Sequence, residues 1–370
     1  MILKVIFLAL IVLFIGYLFW ESYYHKKLRK KIPLVIHVNG TRGKSTTTRL
    51  IDAGLRKAGY KVFTKTTGTK PMYINTNNEQ KEVRRFGNAN IIEQFKILRK
   101  AVKENADVLV IECMAISKDL IRITEDKMLH SNIAIITNVY NDHLDTMGES
   151  LEEVAKTLAL VTPTNGSLII SNNQFEKLFN TYCTKKNSKL YISSKYEGEN
   201  VFDTELENIN NALMVAKLLE IDQEIFVDGM KSYQKDPGAY RVYKLGETRL
   251  YNGFSINDPD STLMKYREIK EKLNDGELTL LLNTRNDRQY RTYQFIKLIG
   301  DLKPHKVFLT GSNFQYIIRK LKKFDIEVIK YRELNDLKEE KDVFLIGNFA
   351  GNGEKILKEL SLLGELVWQR

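Results

Sequence analysis

The chain has 370 residues, 43% of them hydrophobic and 10% aromatic, so it is long enough for two globular domains with sizeable cores. Its net charge is +11, but residues 1–31 hold six basic residues and one acidic residue, and the +6 left elsewhere is too little to indicate nucleic-acid binding. Two cysteines, Cys113 and Cys183, argue against a disulfide framework and favour a reducing compartment, and the scattered histidines do not suggest a zinc site.

The stretch 2–20 is apolar except for Lys4 and predicts a membrane-spanning helix. As a helix it would span roughly 28 Å, close to the ~30 Å hydrocarbon core of a bilayer. A cleaved signal peptide is the alternative, but no small-x-small cleavage site follows, and Trp20 suits an interfacial aromatic belt. The basic run at 25–31 outweighs Lys4 on the other side, which predicts a cytoplasmic body by the positive-inside rule.

An apolar run at 34–38 leads directly into Gly-Thr-Arg-Gly-Lys-Ser at 40–45. Glycines between a strand and a helix let backbone N–H groups and the positive helix end surround one anion. Lys44 adds a positive charge, and Ser45 stands where a phosphate loop commonly supplies a hydroxyl to Mg²⁺. The usual loop begins with a glycine where this chain has Val38, so the bare motif is weak. Its place between a predicted strand and a predicted helix favours a nucleotide triphosphate site.

Two further predicted strands end in polar groups. The strand at 107–112 ends in Glu112, and the strand at 133–139 precedes a polar segment at 141–145 that contains His143. Ligands bind beyond the carboxyl ends of parallel strands, so these groups are expected at the same edge as the phosphate loop. A carboxylate there suits Mg²⁺, although an acidic residue that closes a strand is also common without any ligand.

Alternating elements continue to the C-terminus and predict a two-domain α/β protein. An amphipathic helix is predicted at 206–221, and Asp236-Pro237-Gly238 is the clearest boundary signal. Beyond it, strands are predicted at 249–256, 278–283, 306–310, 326–330 and 343–346. We therefore predict three segments: a membrane anchor at 1–31, an ATP-binding central domain at 32–238 and a smaller, Rossmann-like domain at 239–370. Arginines 285, 288 and 291 either face solvent, which we favour, or form a polyanion path.

Five separated stretches resemble the Mur-type ATP-dependent amide ligases, a family that includes the folylpolyglutamate synthases. The loop at 40–45, Glu112, and Asn138 with Asp-His-Leu-Asp at 142–145 are similar to its phosphate and metal segments. The segment 207–212, Glu-Asn-Ile-Asn-Asn-Ala, resembles an element near the adenine, with Glu207 in place of a histidine. Two more residues match a hinge arginine and the first aspartate of the C-terminal domain: Arg241 and Asp258.

The resemblance implies that ATP and Mg²⁺ are bound by a defined set of residues. The nucleotide-binding set would be Gly40, Thr41, Arg42, Gly43, Lys44, Ser45, Asn208, Arg241 and Asp258. The metal ligands would be Ser45, Glu112 and His143, and the catalytic residues would be Lys44, Glu112 and His143. Lys156 lies nearest to the position of a carbamoylated lysine in many relatives, but its spacing from His143 is shorter than theirs.

The chain lacks the uridine-nucleotide domain of the cell-wall ligases, because the phosphate loop directly follows the anchor. The anchor and basic run, with the motifs at 38–46 (VNGTRGKST), 112–115 (ECMA), 236–241 (DPGAYR) and 257–262 (NDPDST), closely resemble the poly-γ-glutamate synthases. The similarity implies polymerisation of glutamate through an acyl phosphate, for a capsule or a secreted polymer. The expected partners are glutamate, the growing γ-linked chain, membrane lipid and other membrane subunits, but no nucleic acid. Two alternatives stay open: a folylpolyglutamate-type ligase, and a membrane-tethered phosphate-loop NTPase or kinase.

Overall fold

The computed structural model describes residues 2–85, 87, 89–140, 144–198, 202, 204–256, 259–271, 273 and 277–368. The chain divides into two compact units, Met1–Lys235 and Asp236–Arg370. Each unit is built around its own mixed β-sheet.

The first unit alternates strands and helices after a long N-terminal helix. Its elements are α1 (Ile2–Arg29), β1 (Leu34–Asn39), α2 (Lys44–Lys57), β2 (Val62–Thr66), β3 (Met72–Ile74), β4 (Gln80–Glu82), α3 (Glu93–Lys103), β5 (Val108–Glu112), α4 (Lys118–Ile123), a π-helical turn (Thr124–Leu129), β6 (Ile133–Ile136), α5 (Leu144–Met147), α6 (Leu151–Leu158), β7 (Ser167–Ile170), α7 (Glu176–Lys185), β8 (Lys189–Ile192), α8 (Leu206–Leu218) and α9 (Gln223–Lys231).

The sheet of the first unit has the strand order β4-β3-β2-β5-β1-β6-β7-β8. The strands β2, β5, β1, β6, β7 and β8 run parallel to one another. The strands β3 and β4 are antiparallel and lie at one end of the sheet. We call the side on which the parallel strands begin the amino edge and the side on which they end the carboxyl edge. The inner strands β1, β5 and β6 are apolar and buried, as expected for a sheet with helices on both faces.

The second unit contains a smaller sheet flanked by helices. Its elements are β9 (Val242–Leu245), β10 (Thr248–Asn252), α10 (Pro259–Lys270), β11 (Thr279–Asn283), α11 (Gln289–Leu302), β12 (Lys306–Thr310), α12 (Phe314–Leu321), β13 (Glu327–Lys330), β14 (Asp342–Gly347), α13 (Asn352–Leu363) and β15 (Glu365–Trp368). The strand order is β13-β12-β11-β14-β10-β9-β15, with β9 and β15 antiparallel. All five strands predicted for this half are present.

Two predicted elements are shorter in the structure than in the sequence pattern. The strand expected at 133–139 ends at Ile136, because the next residues leave the sheet and hydrogen-bond to the loop at 40–45. The strand expected at 249–256 ends at Asn252, whose side chain turns back to accept from the Phe254 amide and donate to the Ala239 carbonyl. Helix α6 has its N-cap at Ser150, whose hydroxyl accepts from the Glu153 amide.

The helix α1 is continuous over 28 residues. Its segment Lys4–Arg29 is long and apolar enough to cross a membrane. The apolar side chains from Val5 to Trp20 are exposed, whereas Leu28 is buried against the first unit. The end of α1 is therefore packed on the body, while its apolar part projects from it.

Candidate functional site

Three neighbouring strands bring the predicted site residues to one place at the carboxyl edge. The central strand β1 pairs with β5 on one side and with β6 on the other. Val38 is in register with Glu112, and Asn39 is in register with Ile136. The loop at 40–45, which follows β1, therefore lies between Glu112 and the residues that follow β6.

The loop depends on two glycines with positive φ, Gly40 at 130° and Gly43 at 76°. A Cβ atom on Gly40 would lie 2.0 Å from the Thr137 hydroxyl, and one on Gly43 would lie 2.0 Å from Asn208 Oδ1. Side chains at these positions would be both strained and in collision. The backbone of the loop is thus held closer to its neighbours than any other residue type allows.

Asn138 and Thr137 hold the loop in this conformation. The side-chain oxygen of Asn138 accepts hydrogen bonds from the Thr41 hydroxyl at 2.7 Å and from the Arg42 amide at 2.8 Å. The Thr137 hydroxyl donates to the Arg42 carbonyl at 2.5 Å. Asn138 was placed in a metal and phosphate segment by resemblance. In the described structure, its contacts are those of a residue that positions the loop.

Helix α2 begins at Lys44, and its N-cap Gly43 provides no side-chain cap. The positive end of the helix dipole therefore faces the loop without a side-chain acceptor from its own N-cap. The Lys44 ammonium folds back on the loop and donates to the carbonyls of Gly40 at 2.6 Å and Thr41 at 3.0 Å. These contacts concentrate positive charge at the mouth of the loop.

The next residue, Ser45, meets the carboxylate of Glu112. The Ser45 hydroxyl and the Thr67 amide both donate to Glu112 Oε2, each at 2.7 Å. Glu112 is only 2% exposed, so its charge is held out of bulk water by these donors. A hydroxyl and a carboxylate oxygen side by side are hard ligands of the kind that Mg²⁺ or Mn²⁺ binds. The sequence analysis did not predict the Thr67 contact. Its donor is a backbone N–H, which nearly every residue has, so the residue type does not reveal it.

Helix α8 closes the loop from the side. Asn208 is buried, with its carbonyl oxygen 3.1 Å from the Thr47 hydroxyl and its amide donating to Thr204 at 2.9 Å. The neighbouring Glu207 accepts weakly from the Asn138 amide at 3.4 Å. Asn208 therefore contacts the helix that follows the loop, and these bonds fix α8 against it.

The remaining predicted site residues lie elsewhere in the chain or outside its described part. His143 and Asp258 lie outside the described residues. Arg241 belongs to the second unit, where it directly precedes β9 and is half-buried. Lys156 lies on α6 with its side chain 51% exposed, paired to Glu152 at 2.7 Å. The hydrogen bond to Glu152 raises the pKa of Lys156, which keeps the amine protonated and disfavours carbamoylation.

Comparison with known proteins identifies the class to which this fold belongs. Residues 38–231 match the model of the Mur ligase middle domain. A bifunctional folylpolyglutamate synthase/dihydrofolate synthase from Yersinia pestis, solved with AMPPNP and a Mn ion, has a similar fold with a TM-score of 0.68. It is 16% identical, and the similarity covers 93% of this chain and 92% of that one. The fold is thus a mixed α/β, Mur-ligase-like fold with two sheets, of the kind found in ATP-dependent amide ligases.

Two sequence relatives narrow the identification. The PGA synthase CapB of Bacillus subtilis (strain 168) is 31% identical over 95% of this chain and 95% of its own length. The capsule biosynthesis protein CapB of Bacillus anthracis is 34% identical over 87% of this chain and 73% of its own length. Residues 239–362 also match the model of the poly-gamma-glutamate synthase CapB C-terminal domain. The chain belongs to the CapB family.

Proposed function

We propose that this chain is an ATP-dependent ligase that joins glutamate residues through the γ-carboxylate into poly-γ-glutamate. The observation that carries the proposal is the group formed by Lys44, Ser45 and Glu112 at the carboxyl edge, in a chain of the CapB family. Family membership supports the substrate class, and the geometry supports the proposal that the phosphates and the cation bind here.

The residues at this edge fit a nucleotide triphosphate and a hard divalent cation. The glycine conformations, the uncapped start of α2 and the Lys44 ammonium form a cradle for phosphate oxygens. The paired oxygens of Ser45 and Glu112 form a donor set for Mg²⁺. This fit supports a phosphate loop of the type found in nucleotide-binding domains. We propose that His143, Asn208, Arg241 and Asp258 complete the site, as the family resemblance implies.

ATP supplies the phosphoryl group that converts a carboxylate into an acyl donor, and the cation offsets the charge of its phosphates. The residues of this chain hold these groups in place. Lys44 would exchange the Gly40 and Thr41 carbonyls for phosphate oxygens, and Ser45 and Glu112 would hold the cation. Asn138 keeps the loop in shape. Catalysis of this kind rests on positioning and charge neutralisation by groups that are already in place.

We further propose that α1 is a single membrane anchor and that the body lies in the cytoplasm. The exposed apolar surface of α1 supports the anchor, and the basic residues at 25–31 support the orientation. One membrane helix does not form a channel for a polymer, so we expect other membrane subunits to export the product. The second unit is proposed to be a Rossmann-like domain, because its sheet is mostly parallel with helices between the strands.

The proposal is tested by following ADP release and product linkage with the full chain in vesicles, supplied with its membrane subunits, ATP, Mg²⁺ and glutamate. We expect ADP release that depends on glutamate and a polymer that resists α-peptidases, as expected for γ-linkages. The second candidate, a folylpolyglutamate-type ligase, is favoured by the fold similarity to those enzymes. It predicts ADP release only when a folate acceptor is added. ADP release without either acceptor would indicate an NTPase.

A further inference from the structure

The amino edge of the first unit, opposite the phosphate loop, holds the end of α1 by a buried arginine. Arg29 donates to the backbone carbonyls of Leu129 at 2.5 Å and His130 at 2.8 Å, and to Asn132 Oδ1 at 2.8 Å. Asn132 Oδ1 also accepts from the Val35 amide at 2.8 Å. These partners immediately precede or begin β6 and β1, so α1 is fixed where these strands start.

The contacts of α1 with α3 show in which direction the helix leaves the body. His25 packs on Phe95 with ring centroids 3.9 Å apart, and the preceding residues Tyr24 and Glu21 meet Arg99, one turn further along α3. Moving toward the N-terminus of α1 therefore means moving toward the C-terminal end of α3, which leads into β5 at the amino edge. The apolar part of α1 projects from the amino edge.

The same edge carries a row of exposed lysines contributed by several separate elements. The row, which we call the basic face, consists of Lys26, Lys27, Lys30, Lys31, Lys61, Lys103, Lys127, Lys185 and Lys189. Lysines at the ends of α3 and α7 also stabilise those helix dipoles. That effect does not explain Lys61 and Lys189, which stand at the starts of β2 and β8.

The acidic groups on this edge are largely engaged. Asp126 forms an ion pair with Lys186, Glu104 accepts from the Thr76 amide and hydroxyl, and Asp107 accepts from the Lys61 amide at 2.9 Å. Asp126, Glu104 and Asp107 are therefore tied to local partners, and the nine exposed lysines of the basic face outnumber the exposed Glu220, Asp222 and Glu224 at the turn between α8 and α9. The edge presents a net positive surface.

We propose that the basic face rests on the anionic headgroups of the bilayer that α1 enters, so that the phosphate loop faces away from the lipid. This inference rests on the proposed membrane anchor. Because Arg29 fixes α1 to the body, the lysines are held beside the headgroups, where the negative surface potential attracts them over a screening length of ~8 Å. The β1 strand separates the two edges by about 20 Å, so the loop lies beyond the reach of that attraction.

The inference is tested with fluorophores on Thr184→Cys and Gln174→Cys, two exposed positions at opposite ends of α7. The native Cys113 and Cys183 are buried and serve as the unlabelled background. The full chain is placed in phosphatidylcholine vesicles with a headgroup quencher, with or without phosphatidylglycerol. We expect roughly twofold stronger quenching at position 184 than at position 174, increased by phosphatidylglycerol and reduced by salt.

Two double variants with the same change in net charge distinguish an effect of the basic face from an effect of the protein's total charge. Lys185→Glu with Lys189→Glu changes the amino edge, and Lys177→Glu with Lys195→Glu changes the same region at the carboxyl edge. Only the first pair is expected to remove the effect of phosphatidylglycerol. Equal quenching at both positions, or the same response from both pairs, overturns the inference. A response to soluble poly-γ-glutamate in place of phosphatidylglycerol also overturns it, in favour of a polymer-binding face.

Flotation of the unmodified chain distinguishes this inference from the proposal on which it rests. A chain that stays with phosphatidylcholine vesicles at high salt is anchored. If such a chain shows equal quenching at positions 184 and 174, the result contradicts the basic face alone. A chain that leaves the vesicles at high salt contradicts the anchor, and with it the orientation that α1 would impose on the basic face.

Discussion

The two edges of the first sheet are built from the same strands but use their cations in opposite ways. At the amino edge, Arg29 is buried and its donors are taken by two backbone carbonyls and the side-chain oxygen of Asn132. At the carboxyl edge, Lys44 is half-buried and rests on the carbonyls of its own loop. The first arrangement fixes a position, whereas the second keeps a charge available for a ligand.

The largest effect is expected from removing the available charge. Lys44→Ala should lower glutamate-dependent ADP release by about 10²–10³-fold, because a preorganised cation at the phosphates is lost. The thermal unfolding temperature should stay nearly unchanged, since in the described structure the lysine bonds to two carbonyls of its own loop. Rates are measured by coupled ADP detection. A variant that keeps most of its activity would show that Lys44 does not bind the phosphates.

Two glycines at opposite ends of α2 allow a direct comparison of the edges. Gly59→Ala places a side chain at φ 92° in open space and should cost about 1–2 kcal/mol. Gly43→Ala has a similar backbone cost and also collides with Asn208, so it should cost more and weaken nucleotide binding. Urea unfolding and nucleotide titration measure the two effects. Equal unfolding midpoints and equal affinities would contradict the close fit of the loop.

The amino edge should respond in stability and not in nucleotide binding. Arg29→Ala leaves the carbonyls of Leu129 and His130 without their donor and should cost about 1–3 kcal/mol. The KM for ATP should stay the same, because the loop lies at the other edge. The exposed neighbour Lys30→Ala serves as the control and should leave both quantities unchanged. An altered KM with unchanged stability would reverse this assignment.

The smallest effect is expected from a buried pair between the edges. Burial alone would lower the pKa of His37, but its hydrogen bonds to Cys113 and Glu125 outweigh that effect and raise the pKa to about 9. The unfolded value is near 6.5, so the stabilisation is fully present below pH ~6.5 and is lost as the pH rises through 9. The urea midpoint should fall over this range, and His37→Gln should flatten the profile. An unchanged profile in that variant would show that another group titrates.

Much of the fold and part of the site could be predicted from the sequence. The buried strands were visible as apolar runs, and Lys44, Ser45 and Glu112 were visible because each follows or closes such a run. The strands β3 and β4 were missed, since three-residue antiparallel strands in a polar stretch carry too little pattern.

The contacts that join distant parts of the chain could not be predicted in this way. Arg29 belongs to a basic run that reads as solvated, yet its partners lie about a hundred residues away. Likewise, nothing local distinguishes Thr137 or Thr67 from other strand-end threonines until the sheet brings them beside the loop. Which arginine or threonine of such a segment becomes buried depends on how distant parts of the chain pack together. A short stretch of sequence does not contain that information.

The most direct test of the central claim is to trap the activated carboxylate with hydroxylamine during turnover, comparing the native chain with Glu112→Gln. The account predicts a glutamyl hydroxamate that requires ATP and Mg²⁺, with a yield that falls about 10–100-fold in the variant. Higher Mg²⁺ should recover part of that loss. ADP release at the same rate without glutamate, with no hydroxamate from either protein, would contradict the assignment of this edge to a ligase site.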